Sequence, residues 1–359
     1  MDRRLPMIAL GFAALLLGLG ARAEEPAAPI APPQGEELEK LKAAFRRPEA
    51  PPPAPKRNPP TPEKIALGET LFFDPRLSRD QAQSCASCHD PDRRWSDGLA
   101  RASGFQGERL PRRTPGLMNA AWGLAFQWDG RAETLEAQAR MPITAPNEMN
   151  MDMTLLTERL RAVAGYAPLF EAAFGPAPED GALIDETRIL DALASFQRSL
   201  VSERAPFDAW IEGEEEAIGP EARRGFALFA GPARCSACHS GWRFTDDSFH
   251  DIGLKLDPEA AEPDLGRGAF VPPEVVGLRH AFKTPSLRDL APEGFHMHDG
   301  SLRGIAAVID HYVEGGEKRE SLSFEMRPVP LAAQERADLV AFLESLAAPE
   351  APRAPPPIP

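Results

Sequence analysis

The residues best equipped for chemistry are four cysteines and the two histidines beside them. Cys85-Ala86-Ser87-Cys88-His89 and Cys235-Ser236-Ala237-Cys238-His239 use every cysteine of the 359-residue chain. In each, two thiols separated by two residues can bond covalently to the two vinyl groups of one porphyrin. The histidine that follows at once can present its imidazole to the iron. The pair therefore reads as attachment sites for two c-type haems. Two disulfides are the default for four cysteines in an exported chain, but that default does not account for two near-identical pentapeptides. Zinc would need four nearby ligands, and neither motif has a second cysteine pair beside it. A redox dithiol is the remaining competitor, and the doubling of the motif counts against it.

Such motifs need helices to hold them. Gly68-Glu69-Thr70-Leu71-Phe72 precedes the first and Gly225-Phe226-Ala227-Leu228-Phe229 the second, and Pro75 and Pro232 then end the helical patterns. Thr61 before Pro62 fits an N-cap and first helical residue. The glycine-to-cysteine spacing differs, 17 residues against 10, so a duplicated helical haem unit with divergent loops is expected. A chance likeness of two amphipathic helices is the alternative. Ile189, Leu193, Phe196 and Leu200 recur on one face, which predicts a helix over Glu186 to Val201. A last helix carries Leu339, Phe342, Leu343 and Leu346. Strand patterns are rare. The expected fold is mainly α, two cytochrome c-like helical haem domains with long loops.

The expected division has an N-terminal haem domain over 61–205, a connection over 206–220 and a C-terminal haem domain over 221–347. The Pro/Ala-rich stretch 24–60 reads as a disordered arm, and 348–359 as a flexible tail. Arg3 and Arg4, the apolar run Met7–Gly20 and Ala21-Arg22-Ala23 together read as a signal peptide, 1–23. A retained anchor competes with that reading, but the run is short for a bilayer span. Export to the periplasm without stable membrane insertion is expected. A formal net charge of -14, with arginines scattered among acids, argues against a nucleic-acid partner.

At this point the chain resembles the bacterial di-haem cytochrome c peroxidase and MauG family over nearly all of 61–347. The resemblance is carried by the doubled CxxCH, Gln127-Trp128-Asp129-Gly130-Arg131-Ala132, Gln138, Pro146-Asn147-Glu148-Met149, Lys283-Thr284-Pro285-Ser286-Leu287-Arg288 and His298-Asp299-Gly300. It implies a peroxide-reactive haem on His89, an electron-relaying haem on His239, and Trp128 between them. It makes Gln138 and Glu148 the distal pair of the first site. By themselves, Trp128 could be a buried ring near a turn, and Gln138 and Glu148 surface residues. A glutamate in a haem pocket would be useful as a proton carrier. Arg288 and His298 are candidates for pairing with haem propionates.

Within that family the chain leans to the MauG-like branch. No histidine lies between His89 and His239, so no local distal histidine closes the first haem. His250 and His280 remain as long-range candidates. The matching position for the second haem's sixth ligand is Tyr312, with Met297 and Met326 as competitors. A phenolate favours ferric and higher iron states, whereas a thioether favours ferrous iron. The resemblance also implies a calcium ion, at an asparagine whose place here is taken by Arg113, with carbonyls at Glu293 and Phe295. Arg113 could put its own cation there, or calcium could persist with Glu293 as a ligand. The implied activity is use of hydrogen peroxide to form a bis-ferryl type state that oxidises aromatic residues of a periplasmic partner, by cofactor maturation or copper-linked protein oxidation. The rivals are a cytochrome c peroxidase drawing electrons from a small redox protein, and a di-haem electron carrier.

Overall fold

The computed structural model describes residues 34–179, 181–258, 260–349 and 353–359; the expected signal peptide lies outside them. Eleven α-helices are described: α1 Gly35–Phe45, α2 Pro62–Phe73, α3 Cys85–Cys88, α4 Leu135–Thr144, α5 Met153–Arg161, α6 Tyr166–Phe174, α7 Glu186–Ser199, α8 Pro206–Ile211, α9 Pro220–Ala230, α10 Ile305–Glu314 and α11 Ala333–Glu344. Two antiparallel two-residue ladders complete the regular structure: β1 Phe249–His250 with β2 Phe282–Lys283, and β3 Phe295–His296 with β4 Leu302–Arg303. The fold is mainly helical. No helix of the described residues is long and apolar enough to cross a membrane.

Two hydrophobic cores repeat one plan. In the first, α2 crosses α7 at Gly68. A Cβ there would collide with the Ala192 carbonyl and lie 2.8 Å from Phe196 Cβ. In the second, α9 crosses α11 at Gly225, where a Cβ would collide with the Asp338 carbonyl and lie 2.7 Å from Phe342 Cβ. Four residues beyond each glycine, Phe72 packs on Phe196 at 5.1 Å and Phe229 on Phe342 at 5.0 Å. A third ring closes each cluster: Trp95 sits 5.8 Å from Phe196, and Phe244 sits 5.9 Å from Phe342. Absence of a side chain at the crossing lets the helices approach closely enough for these rings to interlock. The likeness between Gly68–Phe72 and Gly225–Phe229 is thus a shared packing arrangement.

Local signals set several helix ends. Thr61 caps α2, its hydroxyl accepting from the Lys64 amide at 3.2 Å, with Pro62 in the first turn. Asp185 caps α7 through the Arg188 amide at 2.8 Å. That helix stops at Ser199 rather than Val201, because Leu200 turns out of it and its carbonyl accepts from the Asn119 amide at 2.8 Å.

Two assignments of loose chain need correction. The expected arm contains α1, whose Phe45 is buried in the second core and stacks on Phe244 at 5.0 Å. Asn58, in the proline-rich part, is wholly buried and donates to Glu136 (3.0 Å) and the Asp191 carbonyl (2.9 Å). The expected connection 206–220 contains α8, whose Phe207 and Trp210 belong to the second core. The expected flexible tail is also engaged. The Ala348 amide donates to Asp289 at 3.1 Å, and Arg353 pairs with Glu69 at 2.8 Å while covering Trp95 and Phe196. In the arm and the tail, burial and specific hydrogen bonds anchor stretches that composition alone marks as loose.

Candidate functional site

Both CxxCH segments open onto one cavity of about 1350 Å³ between the two cores. Each histidine is oriented identically. His89 Nδ1 donates to the Trp95 carbonyl at 3.0 Å, and His239 Nδ1 to the Phe244 carbonyl at 2.8 Å. A proton fixed on Nδ1 leaves the Nε2 lone pair for a metal. Burial pushes both imidazoles below their ordinary pKa, which keeps them neutral and able to ligate. The same carbonyl-bearing segments are stitched to the far wall. Ser96 Oγ donates to the Thr114 carbonyl at 2.9 Å, and Thr245 Oγ1 to the Thr284 carbonyl at 2.6 Å.

The four cysteines form no disulfide. Burial pushes the thiols of Cys85 and Cys235 up to about 12 and that of Cys88 up to about 11. Among the described residues one trio could hold a metal ion: Cys238, Asp246 and His250. There, Asp246 already accepts from His250 Nε2 at 2.9 Å. A cavity of this size, with paired thiols and a lone-pair-presenting imidazole at each of two places, fits two porphyrins.

Gln138 on α4 and Glu148 in the loop after it both line the cavity beside the first motif. Burial raises the Glu148 carboxyl above its ordinary range, and nearby Arg131 opposes the rise. A carboxyl so placed holds a proton more readily than an exposed one and can still pass it on. The platform beneath is rigid. Arg198 of α7 forks onto Glu136 of α4 at 2.9 and 3.0 Å, both side chains buried.

Trp128 joins the two halves. Its indole N–H donates to the Arg113 carbonyl at 2.8 Å, and its own carbonyl accepts from the Lys283 amide at 2.8 Å. His298 lies edge-on to it at 6.5 Å and stacks flat on Phe282 at 3.4 Å. Burial pushes the His298 pKa down to about 4, so the ring is neutral near pH 7.

Tyr312 of α10 lines the cavity together with His239, Cys235 and Cys238, and burial raises its hydroxyl pKa. Met297 and Met326 line the same cavity. His250 stands beside the second motif and bonds Asp246, while His280 Nδ1 donates to the Asp264 carbonyl at 2.8 Å outside the main cavity.

Arg288 is a correction. Its guanidinium forks onto Asp208 at 2.9 and 2.7 Å and donates to the Trp242 carbonyl at 2.5 Å, with the side chain fully buried. It is an internal brace, already supplied with its anion. Arg243 and Lys283 also line the cavity, and both pair with Asp247. Lys283 stood in a quoted motif, but only its placement marks it. Glu293 is exposed, its carbonyl accepting from Arg303 Nε at 3.4 Å; Phe295 lies under Arg303.

Residues 62–216 match the family model described as di-haem cytochrome c peroxidase. The chain is 64% identical over 313 residues to the methylamine utilization protein MauG of Methylorubrum extorquens, covering 87% of this chain and 86% of that one. It is 54% identical over 304 residues to the protein of the same name from Methylophilus methylotrophus, covering 84% and 87%. Among solved structures, a MauG-like protein associated with microbial copper homeostasis superposes with a TM-score of 0.75 at 32% identity, covering 84% of this chain and 94% of that one.

Proposed function

The chain belongs to the di-haem cytochrome c peroxidase and MauG family of peroxide-dependent oxidoreductases, and on that premise we propose that it works in the periplasm, withdrawing electrons from aromatic side chains of a partner protein. Cys85 and Cys88 would hold one haem covalently, with His89 on its iron. Cys235 and Cys238 would hold the other, with His239 and Tyr312 as donors to its iron. When bound, the haems supply the two-electron reduction of hydrogen peroxide. Glu148 takes and returns the proton that O–O cleavage requires, and Gln138 orients the peroxide by hydrogen bonding. Trp128, pinned by hydrogen bonds at its indole N–H and its carbonyl, carries charge between the two sites.

The observation that carries this reading is Tyr312 at the wall of the second site. An anionic oxygen donor stabilises iron that has given up electrons, whereas a thioether would favour an electron store. The relatives named for methylamine utilization, at 64% and 54% identity, favour a partner in that process over the copper-associated role of the 32% neighbour. Low-temperature EPR of the resting ferric protein, repeated after one equivalent of peroxide, tests the reading. One high-spin and one low-spin signal that diminish together are expected. Two low-spin signals indifferent to peroxide would leave an electron carrier. Fast peroxide turnover with a reduced small cytochrome would instead restore a detoxifying peroxidase.

A further inference from the structure

Arg113 and Lys283 occupy the same place in the two repeated units. Each precedes a Thr-Pro pair, Thr114-Pro115 and Thr284-Pro285, whose threonine carbonyl accepts the matching hydroxyl from Ser96 or Thr245. Their electrostatic surroundings differ. Lys283 Nζ lies 3.3 Å from Asp247, the second residue after Thr245. The second residue after Ser96 is Gly98, which brings no carboxylate.

Arg113 therefore makes no ion pair among the described residues, and its Nε is buried without a hydrogen-bond partner. Asp97, the nearby carboxylate, is turned to Thr114 Oγ1 and the Leu99 amide, both at 2.9 Å. Yet the residue is held firmly in the wall of the cavity. Its amide donates to the His298 carbonyl at 2.7 Å, and its carbonyl accepts the Trp128 indole. A guanidinium in the cavity wall without a paired protein anion takes one from whatever fills the cavity.

The calcium that the family resemblance implies does not fit these residues. Calcium takes oxygen ligands, and a guanidinium has no lone pair to give and carries its own positive charge. The Glu293 carbonyl already accepts from Arg303. His296 is buried near Arg113 with its Nε2 unpartnered.

We propose that Arg113 is a built-in cation between the two haem sites, its guanidinium pairing with cofactor carboxylates where relatives of this fold would bind a divalent ion. The inference rests on the di-haem reading above. The test is calcium and haem content measured on the same holoprotein, purified in calcium and dialysed into metal-free buffer, with EPR before and after EGTA. Two haems per chain, calcium far below one per chain, and spectra unmoved by EGTA are expected. One calcium per two haems, with signals altered by EGTA and restored by calcium, would overturn the proposal. Fewer than two haems would instead overturn the di-haem reading. Arg113→Lys should keep the wild-type high-spin to low-spin ratio, while Arg113→Asn should shift it and make it respond to calcium. An Arg113→Asn holoprotein with wild-type spectra and no calcium response would also refute the role; should that variant not fold, the wild-type metal content still decides.

Discussion

Asp208→Asn should unlock the second haem site from behind. Asp208 and Arg288 are 2% and 0% exposed at the side chain and meet through two hydrogen bonds, at 2.9 and 2.7 Å. Asp208 Oδ2 also accepts the Ala205 amide at 2.9 Å, at the start of α8. The amide substitution leaves Arg288 buried with no counter-charge and replaces one charge-assisted bond by an N–H facing N–H. Removing one partner of a buried pair costs about 3–5 kcal/mol, and the weakened helix start adds about 0.5–1 kcal/mol. A total loss of about 3.5–6 kcal/mol is therefore expected. The consequence reaches the haem, because Arg288 lies over Phe244 at 5.7 Å and holds the Trp242 carbonyl. The Phe244 carbonyl is the one that fixes His239 Nδ1. Urea unfolding of the holoprotein should show the lost stability, and the low-spin EPR signal should broaden or shift while the high-spin signal stays. The apolar double variant Asp208→Leu/Arg288→Met should recover most of the stability, since no charge is then buried alone. A cost under about 1 kcal/mol for Asp208→Asn, with the low-spin signal unchanged, would refute the reasoning.

Glu148→Gln should slow the reaction with peroxide by about 10²–10⁴-fold with resting spectra unchanged, by stopped-flow absorbance. In the wild type that rate should fall as pH drops through the Glu148 pKa. The midpoint should lie above the ordinary carboxylate range because burial raises it, and this limb should vanish in Glu148→Gln. Tyr312→Met should raise the potential of the second haem, on the order of 100 mV or more within the roughly 0.8 V that axial ligands span; spectroelectrochemical titration would show no change if Tyr312 is not a ligand. Gly225→Ala should abolish stable holoprotein, because its methyl would meet the Asp338 carbonyl at the α9–α11 crossing. Normal yield and haem content would contradict the close crossing.

Much of the haem chemistry was legible from the chain alone. Two thiols and an imidazole within five residues are held together by covalent connection, so no long-range folding needs to be known to see them. Helix caps at Thr61 and the face of α7 are likewise local, set by backbone geometry over a few residues. Membership of the family, and with it the interest of Trp128, Gln138, Glu148 and Tyr312, was also readable from short motifs. What they touch was not.

Tertiary structure decided the partners. Arg288 sat in a quoted motif and looked available to a cofactor, but α8, 80 residues earlier, brings Asp208 to it. Phe45 lay in a stretch that composition marked as loose, and it is buried against rings 181 and 199 residues away. Arg113 and Lys283 are alike in sequence context, and one is paired while the other is not because Asp247 on one side is Gly98 on the other. Residue spacing fixes chemistry that works across one turn of chain. Whether a buried charge is neutralised depends on which distant segment returns to it, and that is settled only when the whole chain has packed.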